Sequence, residues 1–268
     1  MAQPAMTIRP TRSSFPLEGT RALELVVTVE VPKPEVLTTR PPVSLAIVLD
    51  HSGSMQGTKM AFARAGASAA LGQLSDEDRV SLTIFDSQVE VLQDAVAAKQ
   101  ASPLHAKIAL IEPRSKTNLH GGWLAGAETL SGQEDASRPR RVVLLTDGLA
   151  NEGVTDSGSI AAAVAEAARR GIATSAMGIG EDYNEDLLEA ISRSGDGSYY
   201  YVEEADQLPG LFEAELSGFK AVVGRQVALS ILPAPGVELV AILNDFPISN
   251  TGTPVLPNLI GGSTQNIG

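Results

Sequence analysis

The sequence contains no cysteine and few aromatic or histidine residues, and each shortage narrows the chemistry open to the chain. Without cysteine, disulfides, thiolate metal sites and cysteine nucleophiles are all excluded. Aromatic residues make up 4% of the 268 positions, so the core must be built mainly from Val, Ile, Leu and Ala. Three histidines, His51, His105 and His120, leave few candidates for a catalytic base.

Long apolar runs and a targeting signal are also missing. No apolar stretch approaches the ~20 residues that a membrane-spanning helix needs. Residues 1–16 are polar and rich in proline, and they lack the apolar centre of a signal peptide. We therefore expect a cytoplasmic protein with no direct membrane insertion, although a chain from which targeting segments had been removed would look the same.

The charge balance is strongly acidic, with 32 acidic against 20 basic residues and a net charge of −12. Such a balance argues against nucleic acid, or an anionic membrane surface, as the main partner. Hydrophobic residues at 43% and charged residues at 19% are ordinary for a globular protein. We interpret the acidity by itself as a property of a well-solvated surface.

One stretch, residues 43–54 (V-S-L-A-I-V-L-D-H-S-G-S), changes abruptly from apolar to polar. The apolar half predicts a strand that is buried on both faces. Asp50, Ser52 and Ser54 follow it within five positions. Open α/β sheets bind ligands at the carboxyl ends of such strands. Because all three residues offer oxygen, they suit a hard divalent cation such as Mg²⁺ and suit a soft metal poorly.

Strand and helix patterns alternate from about residue 43 to residue 223, which predicts an α/β fold with a doubly wound, mostly parallel sheet flanked by helices. The pattern predicts strands at 43–50, 79–85, 89–92, 140–146, 172–177 and 198–202. It predicts helices at 57–74, 103–111, 120–130, 157–170, 184–194 and 204–223, with Asn184 as a cap.

The two ends of the chain have a different character. Residues 1–19 are predicted to be a loose lead-in, whereas 21–32, 226–232 and 237–243 alternate as strands. We expect these strands to form a small β unit, the alternative being that they extend one edge of the main sheet. The expected division is 1–40, 41–223 and 224–268. The sequence stops inside the expected β unit, and it does not tell whether the chain is a fragment of a longer protein.

Two further residues complete the candidate site. Thr117 lies in a loop before a predicted helix, and Asp147 ends the strand R-R-V-V-L-L-T. If the strands that carry Asp50 and Asp147 are neighbours, their carboxylates converge at one edge of the sheet. Simpler interpretations exist for each element: the serines could cap the next helix, Thr117 could be an ordinary loop hydroxyl, and Asp147-Gly148 could be a plain turn.

The ordered set D-x-S-x-S, Thr and Asp-Gly resembles the von Willebrand factor type A domain and its metal-ion-dependent adhesion site. The resemblance covers about residues 40–223 and implies a Rossmann-like fold. The motifs that carry it are D-H-S-G-S-M, K-T-N-L and T-D-G-x-x-N-E-G. The first and last of these motifs are most similar to those of bacterial intracellular members and of members related to calcium-activated chloride channels. The resemblance implies a metal site with five ligands: Asp50, Ser52, Ser54, Thr117 and Asp147.

In this family the hydroxyls of Ser52 and Ser54, and in the open form that of Thr117, would bind the ion directly. The two aspartates would act directly or through water. Mg²⁺ is the expected ion, with Mn²⁺ or Ca²⁺ as alternatives. Neutral hydroxyls leave the charge of the ion poorly quenched, so it would take a Glu or Asp side chain from a partner protein. The resemblance therefore implies a non-enzymatic, metal-dependent protein–protein interaction module.

Two other functions stay open from the sequence. An accessory subunit of an ATP-driven chelatase or remodelling complex would need its ATPase on another polypeptide, because this chain has no Walker-type G-x-x-x-x-G-K. A metal-dependent hydrolase would need a well-placed base, and neither that base nor a G-x-S-x-G elbow is evident. The partner and the oligomeric state cannot be predicted from the sequence.

Overall fold

The computed structural model describes most of the chain, in these ranges: 3–12, 23–32, 40–132, 138–180, 183–224, 227–244, 246, 253–254, 256, 259–260 and 263–268. The chain divides into two compact units, one formed by residues 40–219 and the other by residues 1–39 together with 220–268. Within the described ranges, none of the helices has the length and apolar character that crossing a bilayer requires.

The strands and helices follow one another in this order: β1 (Ala5–Pro10), β2 (Leu25–Glu30), β3 (Ser44–Asp50), α1 (Thr58–Gly72), β4 (Arg79–Phe85), β5 (Val89–Ala97), α2 (Pro103–Ala109), α3 (Leu119–Ser131), β6 (Arg140–Thr146), α4 (Ser157–Arg169), β7 (Ile172–Ile179), α5 (Glu185–Ser194), β8 (Tyr199–Val202), α6 (Leu208–Ala221), β9 (Val222–Gly224), β10 (Leu259–Ile260) and β11 (Thr264–Ile267).

The larger unit is built on a six-stranded sheet in the order β5-β4-β3-β6-β7-β8. Strand β5 runs antiparallel to β4, and the other neighbours are parallel. The predicted mostly parallel α/β fold is therefore confirmed. Strand β3 lies between β4 and β6 and is buried along its whole length. Its register with β6 pairs Leu49 with Leu145, which brings the carboxyl ends of the two strands to the same level.

Side chains that alternate along each strand point to opposite faces of the sheet and pack into two separate hydrophobic cores, one on each face. Leu45, Ile47 and Leu49 pack with residues of α1, α2 and α6. Ala46 and Val48 point to the opposite face and pack with residues of α3, α4 and α5. Covering both faces explains why the strands read as continuous apolar runs rather than as alternating ones.

Helix α3 packs unusually close to the sheet through two glycines. A Cβ atom added at Gly122 would lie 2.3 Å from ring atoms of Phe85, and one added at Gly126 would lie 2.2 Å from Val48. Both glycines therefore remove bulk where the helix crosses the strands. The loop that leads into α3, which carries Thr117, is consequently held against the carboxyl edge of the sheet.

Several element boundaries differ from prediction. Strand β5 has nine residues rather than four, because its outer side chains are only partly buried and give a weak alternation. Helix α6 begins at Leu208, after a 3-10 turn at Ala205–Gln207, which places Pro209 in the first helical turn where a missing N–H costs least. The predicted cap on α5 is confirmed, since Oδ1 of Asn184 accepts a hydrogen bond of 3.2 Å from N of Leu187.

The smaller unit contains a three-stranded antiparallel sheet in the order β1-β2-β11 and a short pair formed by β9 and β10. The strand predicted at 21–32 is present as β2, and it pairs with β11 near the C-terminus. The prediction of a loose lead-in at 1–19 is wrong for β1, whose six side chains are all exposed. A strand without a buried face lacks the alternation by which it could have been recognised.

The strands predicted at 226–232 and 237–243 are not observed in the described residues of those ranges. A single bridge at Ala228 is present there, where N of Leu229 donates to O of Pro254 at 3.1 Å. The apolar side chains of Leu232 and Val240 are largely exposed. Apolar alternation alone does not make a strand, since each strand also needs a hydrogen-bonded neighbour.

Candidate metal centre

Asp50 is the last residue of β3, and its side chain is completely buried. Oδ2 accepts a 2.6 Å hydrogen bond from the hydroxyl of Thr146, on the neighbouring strand β6. Oδ1 accepts a 2.8 Å hydrogen bond from the backbone N of Ser52. Both carboxylate oxygens are thus engaged, which fixes the orientation of Asp50 at the sheet edge.

The electrostatic setting of Asp50 is unfavourable for an isolated negative charge. Burial raises the pKa of this carboxyl from 3.8 to about 7, although hydrogen bonds from Thr146 and Ser52 lower it. The nearby charge of Asp147 raises this pKa further. Two buried carboxylates that repel each other favour a cation, which would relieve both the desolvation and the repulsion.

The two serines lie together just beyond Asp50. Oγ of Ser52 is 3.1 Å from Oγ of Ser54. Helix α1 begins after Gly57, and neither there nor at the preceding 3-10 turn do the described residues show a side-chain capping bond. The simpler interpretation, that these serines cap the following helix, is therefore wrong. Their hydroxyls stay available at the carboxyl end of β3.

A backbone contact joins the serine turn to the loop that carries Thr117. N of Gly53 donates to O of Ser115 at 2.9 Å. A Cβ atom at Gly53 would lie 3.1 Å from the same oxygen, so the absence of a side chain permits this approach. N of Arg114 also donates to O of His51 at 2.7 Å.

Thr117 is buried, and its backbone is tied to the segment that follows Asp147. N of Thr117 donates to Oδ1 of Asn151 at 2.9 Å. O of Thr117 accepts from the backbone N of Asn151 and of Glu152, both at 3.1 Å. Asn151 was not predicted as a site residue. It is the Asn of the motif T-D-G-x-x-N-E-G, and this position was the sequence feature from which it could have been predicted.

Asp147 directly follows β6 and is completely buried. Its Oδ2 accepts a 3.0 Å hydrogen bond from Nζ of Lys59, in the first turn of α1. Its backbone O accepts from N of Asn184 at 3.0 Å, which ties the start of α5 to the same edge. Lys59 was also missed from the sequence, where a lysine five residues after Ser54 gives no distinctive pattern.

The segments that carry all five predicted ligands thus meet at the carboxyl edge of β3 and β6. Side-chain contacts or electrostatics link Asp50 to Ser52, Ser52 to Ser54, and Asp50 to Asp147, whereas Thr117 is linked through its backbone. The donors are oxygens, which suit Mg²⁺. Lys59 pairs with Asp147, whereas Asp50 accepts its hydrogen bonds from the uncharged Thr146 hydroxyl and Ser52 backbone. Within the described residues there is no cluster of three or more His, Asp or Glu ligands, so hydroxyls would have to share the coordination.

Two histidines lie near the site, and Nε2 of His51 is buried without a hydrogen-bond partner among the described residues. Nδ1 of the buried His51 lies 3.0 Å from the carbonyl oxygen of Glu112. The ring of His120 lies beside that of Trp123, with 6.1 Å between their centroids. In the part of the chain that the structure describes, neither serine hydroxyl is hydrogen-bonded to a histidine, as a serine nucleophile would require.

Fold and site together define an α/β module with a set of oxygen donors at the carboxyl edge of its sheet. Comparison with known proteins identifies the class, because residues 44–214 match the family described as von Willebrand factor type A domain. The chain belongs to this family. Domains of this family are protein-interaction modules that often depend on a metal-ion-dependent adhesion site, and they are generally not enzymes.

Three relatives illustrate the match. An uncharacterized protein of Synechocystis is 30% identical over 63% of this chain and 39% of its own length. Inter-alpha-trypsin inhibitor heavy chain H3 of Rattus norvegicus is 31% identical over 64% of this chain and 21% of its own length. A solved von Willebrand factor type A structure from Catenulispora acidiphila matches 98% of this chain and 64% of its own, with a TM-score of 0.72 and 19% identity, and supports the fold alone. The chain thus spans well under half the length of these two curated relatives, and the comparisons do not specify a subtype.

Proposed function

We propose that this chain is a metal-dependent protein–protein interaction module that binds an acidic side chain of a partner protein through Mg²⁺. The ion would be held by Asp50, Ser52, Ser54, Thr117 and Asp147. The proposal is carried by one observation: two buried carboxylates and a pair of serine hydroxyls meet where β3 and β6 end. Mn²⁺ or Ca²⁺ are alternatives for the same oxygen donors.

Each residue would have a distinct part in holding the ion. The serine hydroxyls, 3.1 Å apart, and the hydroxyl of Thr117 would contribute neutral ligands. Asp50 and Asp147 would supply the negative charge, directly or through water. Neutral ligands leave the ion electrophilic, so that a carboxylate from outside the chain completes its coordination.

The overall charge of the chain supports a role for a bridging cation. At a net charge of −12 the surface would repel an acidic partner at long range. A divalent ion at the site reverses the local sign of the charge, so the same carboxylate becomes a favourable ligand. Removal of the ion should therefore abolish the interaction with such a partner.

Calorimetric titration with Mg²⁺ tests the metal site directly. We expect Asp50→Ala and Ser54→Ala to abolish Mg²⁺ binding while the far-ultraviolet circular dichroism spectrum stays that of the wild type. Ser87→Ala is the matched control, because the Ser87 hydroxyl is hydrogen-bonded to Oγ of Ser115 in the adjacent loop, at 2.8 Å, and is not a predicted ligand. Equal affinity in the wild type, Asp50→Ala and Ser54→Ala would refute the assignment.

The partner can be sought with the same variants. Immobilised wild type, incubated with cell extract in Mg²⁺, should retain proteins that EDTA releases and that mass spectrometry identifies. Ser54→Ala should fail to retain them in Mg²⁺. A set of bound proteins that is identical in Mg²⁺, in EDTA and with Ser54→Ala would contradict metal-dependent recognition.

A further inference from the structure

Lys59 is held in place between Asp147 and Gly180. Its Nζ atom lies 3.0 Å from Oδ2 of Asp147, and 20% of the lysine side chain is exposed, against none of the aspartate. Gly180 has a φ of +90°, and a Cβ atom there would lie 2.5 Å from Cε of Lys59. The glycine therefore leaves room for the lysine stem, and the ion pair with Asp147 places the ammonium beside a buried carboxylate of the candidate site.

The position of this ammonium matters because it shares a carboxylate with the candidate metal site. A charge pair with little exposure is only weakly screened by water and salt. A divalent ion that approaches Asp147 therefore meets a like charge on the other side of the same carboxylate. The first turn of α1, which contains Lys59, adds the partial positive charge of a helix N-terminus to this repulsion.

We propose that Lys59 is an internal competitor of Mg²⁺ for Asp147. The lysine lowers the affinity of the site for the ion, and it compensates the buried carboxylate whenever the ion has dissociated. This inference rests on the proposed metal-binding function. It implies that ion binding is readily reversible, and that a partner carboxylate, by adding negative charge, strengthens ion binding.

A purely structural role for the ion pair makes a different prediction. A pair that only holds α1 against the sheet would stabilise the fold by the same amount with and without Mg²⁺. If Lys59 is a competitor, its removal destabilises the fold in EDTA, because Asp147 is then buried without a neighbouring positive charge. In Mg²⁺ its removal does not destabilise the fold, because the ion takes the place of the lysine. The structural role therefore predicts an unchanged Mg²⁺ affinity when the lysine charge is removed, whereas the competitor role predicts a higher one.

The test compares four variants by Mg²⁺ calorimetry and by thermal unfolding, in EDTA and in saturating Mg²⁺. Lys59→Met and Lys59→Gln both remove the charge, and the glutamine keeps a hydrogen-bond donor in case the methionine variant does not fold. Lys59→Arg keeps the charge. Lys116→Met is the matched control, because Lys116 adjoins Thr117 and is 68% exposed, in a 3.1 Å pair with Glu152.

We expect Lys59→Met and Lys59→Gln to bind Mg²⁺ at least about fivefold more tightly than the wild type. Their unfolding midpoints should fall in EDTA and return to that of the wild type in Mg²⁺. Lys59→Arg and Lys116→Met should stay within about twofold of the wild-type affinity.

Unchanged or weaker Mg²⁺ binding by the Lys59→Met and Lys59→Gln variants would overturn the inference, as would an equal loss of stability in both buffers. If the wild type binds Mg²⁺ and these variants bind no better, the competitor role fails and the proposed function stands. If the wild type itself binds no Mg²⁺, the proposed function fails and the inference fails with it.

Discussion

The hydroxyl of Thr146 donates a 2.6 Å hydrogen bond to Oδ2 of Asp50, and both residues are fully buried. The same hydroxyl accepts a 2.8 Å bond from N of Gly148. One threonine on β6 therefore ties the carboxylate of β3 to the turn that follows Asp147. This bond joins the two strand ends on which the candidate metal centre depends.

Replacement of Thr146 by valine keeps the shape of the side chain and removes both bonds. We expect the free energy of unfolding to fall by about 2 kcal/mol, because a hydrogen bond to a buried carboxylate is lost. We also expect weaker Mg²⁺ binding, since Asp50 loses its orienting contact. Denaturant unfolding can be followed by the fluorescence of Trp123, the single tryptophan, which is buried in the larger unit.

Thr83→Val is the control for this prediction. Thr83 is buried on the neighbouring strand β4, and its hydroxyl has no hydrogen-bond partner among the described residues. The same chemical change should therefore be neutral or stabilising there. If both variants lost similar stability, the cost would come from the exchange of threonine for valine and not from the bond to Asp50.

Asn151→Ala should weaken Mg²⁺ binding although Asn151 is not a proposed ligand. Its Oδ1 accepts the 2.9 Å bond from N of Thr117, so its loss frees the loop that presents the Thr117 hydroxyl. Residues that orient metal ligands typically change affinity by about 10- to 100-fold when mutated, and we expect about tenfold here. Calorimetry provides the measurement.

Asn184→Ala separates a loss of orientation from a general loss of stability. Asn184 caps α5 with a 3.2 Å bond, and removal of a cap costs about 1 kcal/mol. Its backbone bond to Asp147 does not depend on the side chain. Mg²⁺ affinity that fell equally in both asparagine variants would show that Asn151 acts only through stability.

Gly122→Ala should destabilise the fold even though alanine is the better helix former. The new Cβ would lie 2.3 Å from the Phe85 ring, which is fully buried and cannot move aside freely. Helix propensity favours alanine by about 1 kcal/mol, whereas overpacking costs about 1–3 kcal/mol. The added Cβ would also push α3 away from the sheet, which adds to the cost. We expect a net loss of about 2 kcal/mol in denaturant unfolding.

Gly72→Ala provides the comparison. Gly72 ends α1, and among the described residues no atom outside its chain neighbours and its own helix backbone lies within 4 Å of a Cβ added there. The same exchange should stabilise this helix by up to about 1 kcal/mol. A stabilising effect at Gly122 as well would mean that α3 does not depend on close packing.

Asp78 provides a prediction of pH dependence in the larger unit. Burial raises the pKa of this carboxyl, but the Arg40 guanidinium, N of Val43 and both donors of Ser75 outweigh that effect and hold it below 3.8. A depressed pKa in the folded state adds stability above the pKa of the unfolded chain, and this stability is lost as the pH falls through the folded pKa. The wild type should therefore lose stability more steeply than Asp78→Asn below about pH 4.

At pH 7 we expect the free energy of unfolding of Asp78→Asn to be about 2–4 kcal/mol lower than that of the wild type, because the poorly exposed charge of Arg40 loses its partner. Asp76→Asn, an exposed change two residues away, should stay within about 0.5 kcal/mol at every pH. A constant gap between wild type and Asp78→Asn from pH 7 to pH 3 would contradict the role of the charge.

Strong periodicity made most of the larger unit predictable. Strands such as β3 and β6 are buried on both faces, and helices such as α4 begin and end at recognisable residues, so their order followed from the sequence. Strand β1 was missed because none of its side chains is buried. The segments at 227–232 and 237–243 alternate in polarity without forming strands, because a strand depends on a partner that can be distant in the chain.

The sequence by itself determined the α/β class, the order of the elements in the larger unit and the choice of five oxygen-bearing residues as candidate ligands, because burial pattern and short-range spacing are local properties of the chain. Only the tertiary structure decided that β3 and β6 are neighbours, that Thr146 and Asn151 orient Asp50 and Thr117, and that Lys59 reaches Asp147. These contacts join residues that lie 34 to 96 positions apart. Their distances and charges arise from packing, and packing exists only once the chain has folded.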